Sequence, residues 1–349
     1  MRRLATYQTV RSARAGFTIV ELMMVVGILL FLIATSAFVV RNIGNKARAR
    51  ATMATITKIN GLLSQRVQSF QKELDSNRNQ KLLQSRVNAK RAALVNATGE
   101  KGFYSLSAPV VEILVRKDLF REQFPQYVGD NTEVNAAMDA IAGTSGAAGG
   151  LGSDNGLSIS SEYLYYALTS HDSFGLAPVG EDSFTASEVK DTDGDGLMEF
   201  VDGWGRPLRF YRWPTHLIKP YGAGLQRTLA GAFFSNLPPQ PNGNLNERDP
   251  LTIDPDDPLG RISDEDSRVN SLLSSQLFND SASYTVGQYG TMDVFWMPLI
   301  VSAGEDGILG LYEPSDITNN GVLAQPVAVP GVEGIYDNIT NYNQRAGGN

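Results

Sequence analysis

Asp191, Asp193 and Asp195 stand at alternate positions, Gly196 follows, and Leu197, Glu199 and Asp202 complete a twelve-residue segment. Carboxylates at positions 1, 3 and 5 converge on one point, and a glycine at position 6 permits a sharp turn. Position 7 offers the Leu197 carbonyl, and positions 9 and 12 supply Glu199 and Asp202. This is the ligand order of a calcium loop, and hard oxygen donors without His or Cys favour Ca²⁺ over transition metals. Position 12 carries Asp where Glu is usual, and Val201-Asp202-Gly203 does not read as the start of a helix. An Asp/Gly-rich turn that holds no metal is the competing reading.

A second isolated carboxylate lies near the N-terminus. Glu21 opens an apolar run, and Leu22 to Val40 contains no charge. Nineteen residues make a helix of ~28 Å, which matches a bilayer core. A carboxylate at the mouth of such a segment costs roughly 2–3 kcal/mol to insert and is normally there for a purpose. Ala34-Thr35-Ser36-Ala37, the one small-residue run that mimics a secretory cleavage site, lies inside the apolar segment rather than after it. A plain signal anchor with a stray glutamate is the bland alternative.

Composition narrows the chemistry further. The chain has 349 residues, a formal charge of −7, two histidines and no cysteine. Disulfides, thiolate metal sites and cysteine nucleophiles are excluded. His171 and His216 stand in no metal-ligand spacing, and no G-x-S-x-G elbow occurs. The Gly143–Gly156 run lacks the Gly-Lys-Ser/Thr ending of a phosphate loop. No enzyme is expected. The acidic balance also argues against a nucleic-acid partner.

The residues around Glu21 carry a resemblance. Arg14-Ala15-Gly16-Phe17-Thr18-Ile19-Val20-Glu21-Leu22 resembles the processing site of the type IV prepilin family, which includes type IV pilins and type II secretion pseudopilins. The resemblance implies cleavage by a prepilin peptidase between Gly16 and Phe17, methylation of Phe17, and pairing of Glu21 with the N-terminal ammonium of a neighbouring subunit. An ion pair in a low-dielectric filament core is rewarded only when both partners are present, so it would set axial register. Loss of the leader removes four arginines, leaving 26 basic residues against 37 acidic, a net −11. Four basic residues on each side of the apolar run (Arg41, Lys46, Arg48 and Arg50 on the far side) leave orientation undecided by charge. The resemblance places the leader in the cytoplasm.

Two further segments resemble the major pseudopilin of type II secretion. Asp202-Gly203-Trp204-Gly205-Arg206-Pro207-Leu208-Arg209-Phe210-Tyr211 is similar to its D-x-W-G-x-P turn and following strand. Pro298 to Gly307, with Ser302, Gly304 and Asp306, is similar to its strand and S-x-G-x-D-G loop. That second likeness implies Ser302, Asp306 and Asp337 as calcium-ligand positions, with a metal-free hairpin loop as the alternative.

The elements that must position these groups are largely periodic. Ile56, Ile59, Leu63, Val67, Phe70 and Leu74 are spaced 3, 4, 4, 3, 4, an amphipathic helix stripe. No proline occurs from Phe17 to Asp75, so one helix is expected throughout, with Gly44 as its weak point. Further helices are expected over Lys81–Val95, Pro109–Phe124, Ser161–His171 and Ser263–Leu277. Leu208 to Tyr211 alternates as a strand, and Leu237–Gly260 reads as a surface loop.

The expected fold is α+β and pilin-like: a long N-terminal transmembrane helix packed on a small antiparallel sheet, with helical insertions. The expected divisions are a leader (1–16), transmembrane helix (17–40), extramembrane helix (41–76), helical insertion (77–190) and β region with acidic loops (191–349). The implied function is a structural pseudopilin of a type II secretion pseudopilus. Its partners would be prepilin peptidase, copies of itself and other pilin-like subunits, the inner-membrane assembly platform and membrane lipid. Localisation would be the inner membrane, with a periplasmic C-terminal region. A type IV pilus subunit and a tethered binding protein that borrows the same export route are the alternatives. A mature chain of 333 residues is far longer than a compact major pseudopilin.

Overall fold

A computed structural model describes residues 18–76, 79–103, 108–142, 156–172, 175–213, 298–315 and 337–341. Gly16, Phe17, His216, the expected loop 237–260 and the expected helix 263–277 lie outside the described residues, as does all of the 143–156 run except Gly156. The chain divides into two compact units, Met1–Lys46 and Ala47–Asn349. The expected insertion and β region both fall within the second.

Helix α1 (Ile19–Leu74) contributes to both units. In the first unit, Ile19–Ser36 is long and apolar enough to cross a membrane, and none of it is buried. Isoleucine, leucine, valine and phenylalanine side chains exposed all round this span are the pattern of a lipid-facing segment. Thr18 starts the helix. Its N–H and hydroxyl both donate to Glu21 Oε2, at 2.8 and 2.9 Å, and the Glu21 N–H donates back to Thr18 Oγ1 at 3.2 Å. This is a capping box, in which two otherwise orphaned donors are satisfied locally.

In the second unit, the expected stripe is the spine of the core. Ile56, Ile59, Leu63, Phe70 and Leu74 are buried, and Val67 packs against them half-buried. They meet Phe120 and Phe124, Leu164 and Leu168, and Phe200, Phe210, Ile300 and Ile339. Among the described residues, four α-helices follow α1: α2 (Gln80–Phe103), α3 (Ala108–Gln123), α4 (Thr132–Ile141) and α5 (Ile159–Thr169), of which α3 and α5 supply residues to this cluster. α2 runs eight residues beyond its expected end, and α5 begins and ends two residues early. α4 was not foreseen; Asn131 caps it by accepting from the Glu133 and Val134 N–H groups.

Among the described residues, two antiparallel sheets complete the unit. Strands β1 (Val189–Lys190) and β2 (Glu199–Phe200) pair across the acidic loop. Strands β3 (Arg209–Tyr211), β4 (Leu299–Ser302) and β5 (Ile339–Thr340) form the other sheet in the order β3-β4-β5. Its register sets Phe210 opposite Ile300 and Val301 opposite Thr340. All four β4 residues are buried, as a middle strand covered on both faces requires. The molecule is therefore α+β, with one apolar N-terminal helix and small antiparallel sheets.

The turn from β2 to β3 docks on α1. The Gly203 N–H donates to Thr52 Oγ1 at 2.8 Å, and Thr52 in turn donates to the Arg48 carbonyl at 2.9 Å. A Cβ on Gly203 would collide with the Arg48 backbone. Backbone cannot swing aside as a side-chain tip can, so Gly203→Ala is expected to destabilise the protein by about 1–3 kcal/mol. Urea unfolding of wild type and variant in detergent measures this, and equal midpoints would show that the contact is slack.

Candidate metal centre and neighbouring sites

The acidic loop is wound by its own carboxylates. Asp191 Oδ1 accepts from the Gly194 N–H at 2.7 Å, and Oδ2 accepts from Gly196 at 3.1 Å. Asp195 Oδ1 accepts from Leu197 at 2.7 Å, and Asp193 Oδ1 accepts more weakly from Asp195 at 3.4 Å. Gly194 and Gly196 have φ of 82° and 93°, the left-handed region that glycine enters without a steric penalty. The Leu197 side chain anchors the loop: it is buried with Val134 and Met138 of α4 and Ile159 and Tyr163 of α5.

The start of α5 fastens the loop to the sheets. Ser158 donates to Asp193 Oδ2 at 3.0 Å. Ser160 Oγ accepts from the Phe210 N–H of β3 at 3.1 Å. Ser161 both accepts from the Phe200 N–H and donates to its carbonyl, at 3.0 and 3.1 Å. Glu162, the next residue, is turned to the loop. One carboxylate oxygen from each of Glu162, Asp193 and Asp195 lies within 4.8 Å of the others. Oxygens bound to one calcium at 2.3–2.6 Å stand at most about 5 Å apart, so this spacing admits a single ion.

Glu199 lies at the loop's base and is fully buried. Its Oε1 accepts from the Thr192 N–H at 2.6 Å, while Oε2 is buried without a hydrogen-bond partner. Burial pushes this carboxyl up to about 7; the Thr192 hydrogen bond opposes the shift, and the carboxylates of Asp193 and Asp191 add to it. The donor set is all oxygen, with a buried acceptor still open, and it fits a hard cation such as Ca²⁺.

Asp202, twelfth in the segment, is not in the three-carboxylate group. Its Oδ1 accepts from the Trp204 and Arg206 N–H groups at 2.9 and 3.0 Å, and its Oδ2 accepts from Ser302 Oγ at 2.7 Å. Ser302 Oγ then accepts from the Gly304 N–H at 3.1 Å, and Arg206 donates to the Gly304 carbonyl at 2.8 Å. Asp202 thus joins the tryptophan turn to the second acidic loop.

In that second loop, Asp306 and Asp337 meet. The Asp306 N–H donates to Asp337 Oδ2 at 3.0 Å, and Asp306 Oδ1 accepts from Ile308 at 2.7 Å. Asp337 Oδ1 is buried without a hydrogen-bond partner. Burial raises the Asp337 carboxyl; the Asp306 N–H opposes this and the Asp306 carboxylate reinforces it. Two carboxylates and the Ser302 hydroxyl therefore lie along one loop, but that hydroxyl is already engaged by Asp202. His171 Nε2 stands 3.0 Å from Gln123 Oε1.

Sequence reasoning missed Glu162. Ser158 and Glu162 in Ser-Ile-Ser-Ser-Glu mark a helix start, but nothing in that run points to a loop thirty residues further on. No family model, curated protein or solved structure matches the chain.

Proposed function

We propose that this chain is a membrane-anchored structural subunit of the pilin class, assembled into a filament through α1. Within that class we assign it to the pseudopilins of type II secretion, with a head stabilised by calcium. The observation that carries the reading is the division of α1: an exposed apolar start with Glu21 at its mouth, then a buried stripe under an α+β head. Gly16 and Phe17 are the proposed cleavage and methylation positions, acted on by prepilin peptidase. The other partners are like subunits, the assembly platform and lipid. The tryptophan turn and the loop from Ser302 to Gly307, hydrogen-bonded into one unit, support the secretion assignment. Calcium would bind oxygen donors of the acidic loops and supply charge neutralisation there, with no chemistry beyond holding the head together.

Glu21 bears the assembly role. Within its own helix its charge is held by Thr18, which eases residence at the membrane surface before a neighbour's ammonium arrives. Removing one partner of a buried pair costs about 3–5 kcal/mol, or roughly a hundredfold or more in association. Glu21→Ala is expected to leave leader cleavage intact and reduce filament incorporation to background in sheared fractions. Normal incorporation would refute the pairing role. Deleting the gene should make exported enzymes accumulate in the periplasm. Loss of surface fibres and twitching with secretion intact would move the chain to the type IV pili, and no effect on either system would sink the assembly reading.

A further inference from the structure

We propose that the cation centre is closed across the fold, by Glu162 of α5 together with Asp193 and Asp195, rather than along the loop by Asp202. The occupant is one hard divalent cation bound by oxygen. This rests on the calcium part of the functional reading and names its ligands.

Three observations carry it. Glu162, Asp193 and Asp195 bring oxygens within 4.8 Å of one another although they come from a helix and a loop thirty residues apart. Glu162 and Asp195 are buried, and three carboxylate oxygens gathered this closely form the kind of oxygen donor set that a hard cation takes. Independently, Glu199 is fully buried at the base of the same loop, with Oε2 lacking any hydrogen-bond partner; its other oxygen is fixed by Thr192, and the charges acting on it are those of Asp193 and Asp191. That open Oε2 lies at the base of the loop that carries Asp191, Asp193 and Asp195, where a bound cation would satisfy it. Asp202, by contrast, spends both oxygens on Trp204, Arg206 and Ser302.

The consequence is mechanical coupling. A loop closed by its own twelfth residue would bind metal as a local module. A loop closed by Glu162 ties the ion to the turn of α5 whose serines hold β2 and β3.

The test is calorimetric titration of the full chain in detergent with calcium chloride, after chelator removal, with circular dichroism confirming the fold. Glu162→Gln is expected to weaken calcium binding by at least about tenfold, while Asp202→Asn keeps wild-type affinity. Glu162→Asp, which keeps the charge but shortens the reach, serves if the glutamine variant does not fold, and is expected to weaken binding too. Wild-type affinity in a folded Glu162 variant overturns the proposal, as does tenfold weakening by Asp202→Asn alone. A wild-type protein that binds no calcium overturns it together with the calcium reading; the secretion phenotype then still decides the assembly reading by itself.

Discussion

In the presence of a chelator, raising the pH from 4.5 to 7 is expected to destabilise this protein by on the order of 3 kcal/mol through Glu199 alone. The sign follows from proton counting. Below the ordinary carboxyl value near 4.5, Glu199 is protonated in both folded and unfolded chains. Above it the unfolded chain releases the proton while the buried carboxyl keeps it up to about 7, so the native state binds more protons and stability falls as pH rises. Above about 7 the loss levels off. Glu199→Gln, neutral at every pH, removes most of this slope. Calcium should flatten it as well, because a cation beside the loop favours the ionised form. Urea midpoints of wild type and Glu199→Gln between pH 4.5 and 8, with chelator and with calcium, measure the effect. Parallel wild-type and variant profiles in chelator would show that Glu199 does not hold its proton.

The second large effect is expected from Arg212. Its side chain is buried and donates through Nη1 to Asp130 Oδ2 at 2.9 Å and to the Phe124 carbonyl at 2.8 Å, with the guanidinium 4.7 Å from the Trp213 ring centroid. Asp130 Oδ2 also accepts from the Gln126 N–H at 2.8 Å, and Gln126 Oε1 takes the Arg212 N–H at 2.8 Å. The pair ties the end of β3 to the segment after α3. Arg212→Met leaves the Asp130 carboxylate buried beside an apolar chain, an expected loss of about 3–5 kcal/mol. Adding Asp130→Asn should restore much of it, because the uncompensated charge is then gone. Additive losses in the double variant would mean that the two side chains act independently. Thermal melts in detergent read both, with the single variant falling by more than about 6 °C.

How much of this was legible in the sequence depends on whether the signal is local. The α1 stripe was legible because a helix that covers a head needs one apolar face, and residues 56 to 74 repeat it for five turns. Strand β3 was legible from Leu208 to Tyr211, yet Arg209 and Tyr211 are buried as well as Phe210. Arg209 pairs with Glu313 at 2.8 Å, and the Tyr211 hydroxyl donates to the Tyr312 carbonyl at 2.9 Å, so both faces of the strand are covered. Helix α4 escaped because only Val134 and Met138 anchor it, too few for a periodic pattern. The acidic loop was found by spacing, but spacing cannot report what arrives from elsewhere. The bridge between Val201 and Pro207 reverses the chain, carrying Asp202 into the next turn, and Glu162 comes from a different helix.

The position of β4 between β3 and β5 sets an order of events during synthesis. β3 ends at Tyr211 and β4 begins at Leu299, so at ordinary synthesis rates this pairing follows β3 by roughly 5–20 s. Through that interval Ser160, from a helix already made, can hold the Phe210 N–H. Among the described residues, β4 gains its second neighbour when Ile339 and Thr340 emerge. A chain stopped before them lacks the β5 pairing, which leaves that edge of β4 to proteases and to other chains. Topology thus acts as a length check: only chains that reach β5 complete the pairing of β4.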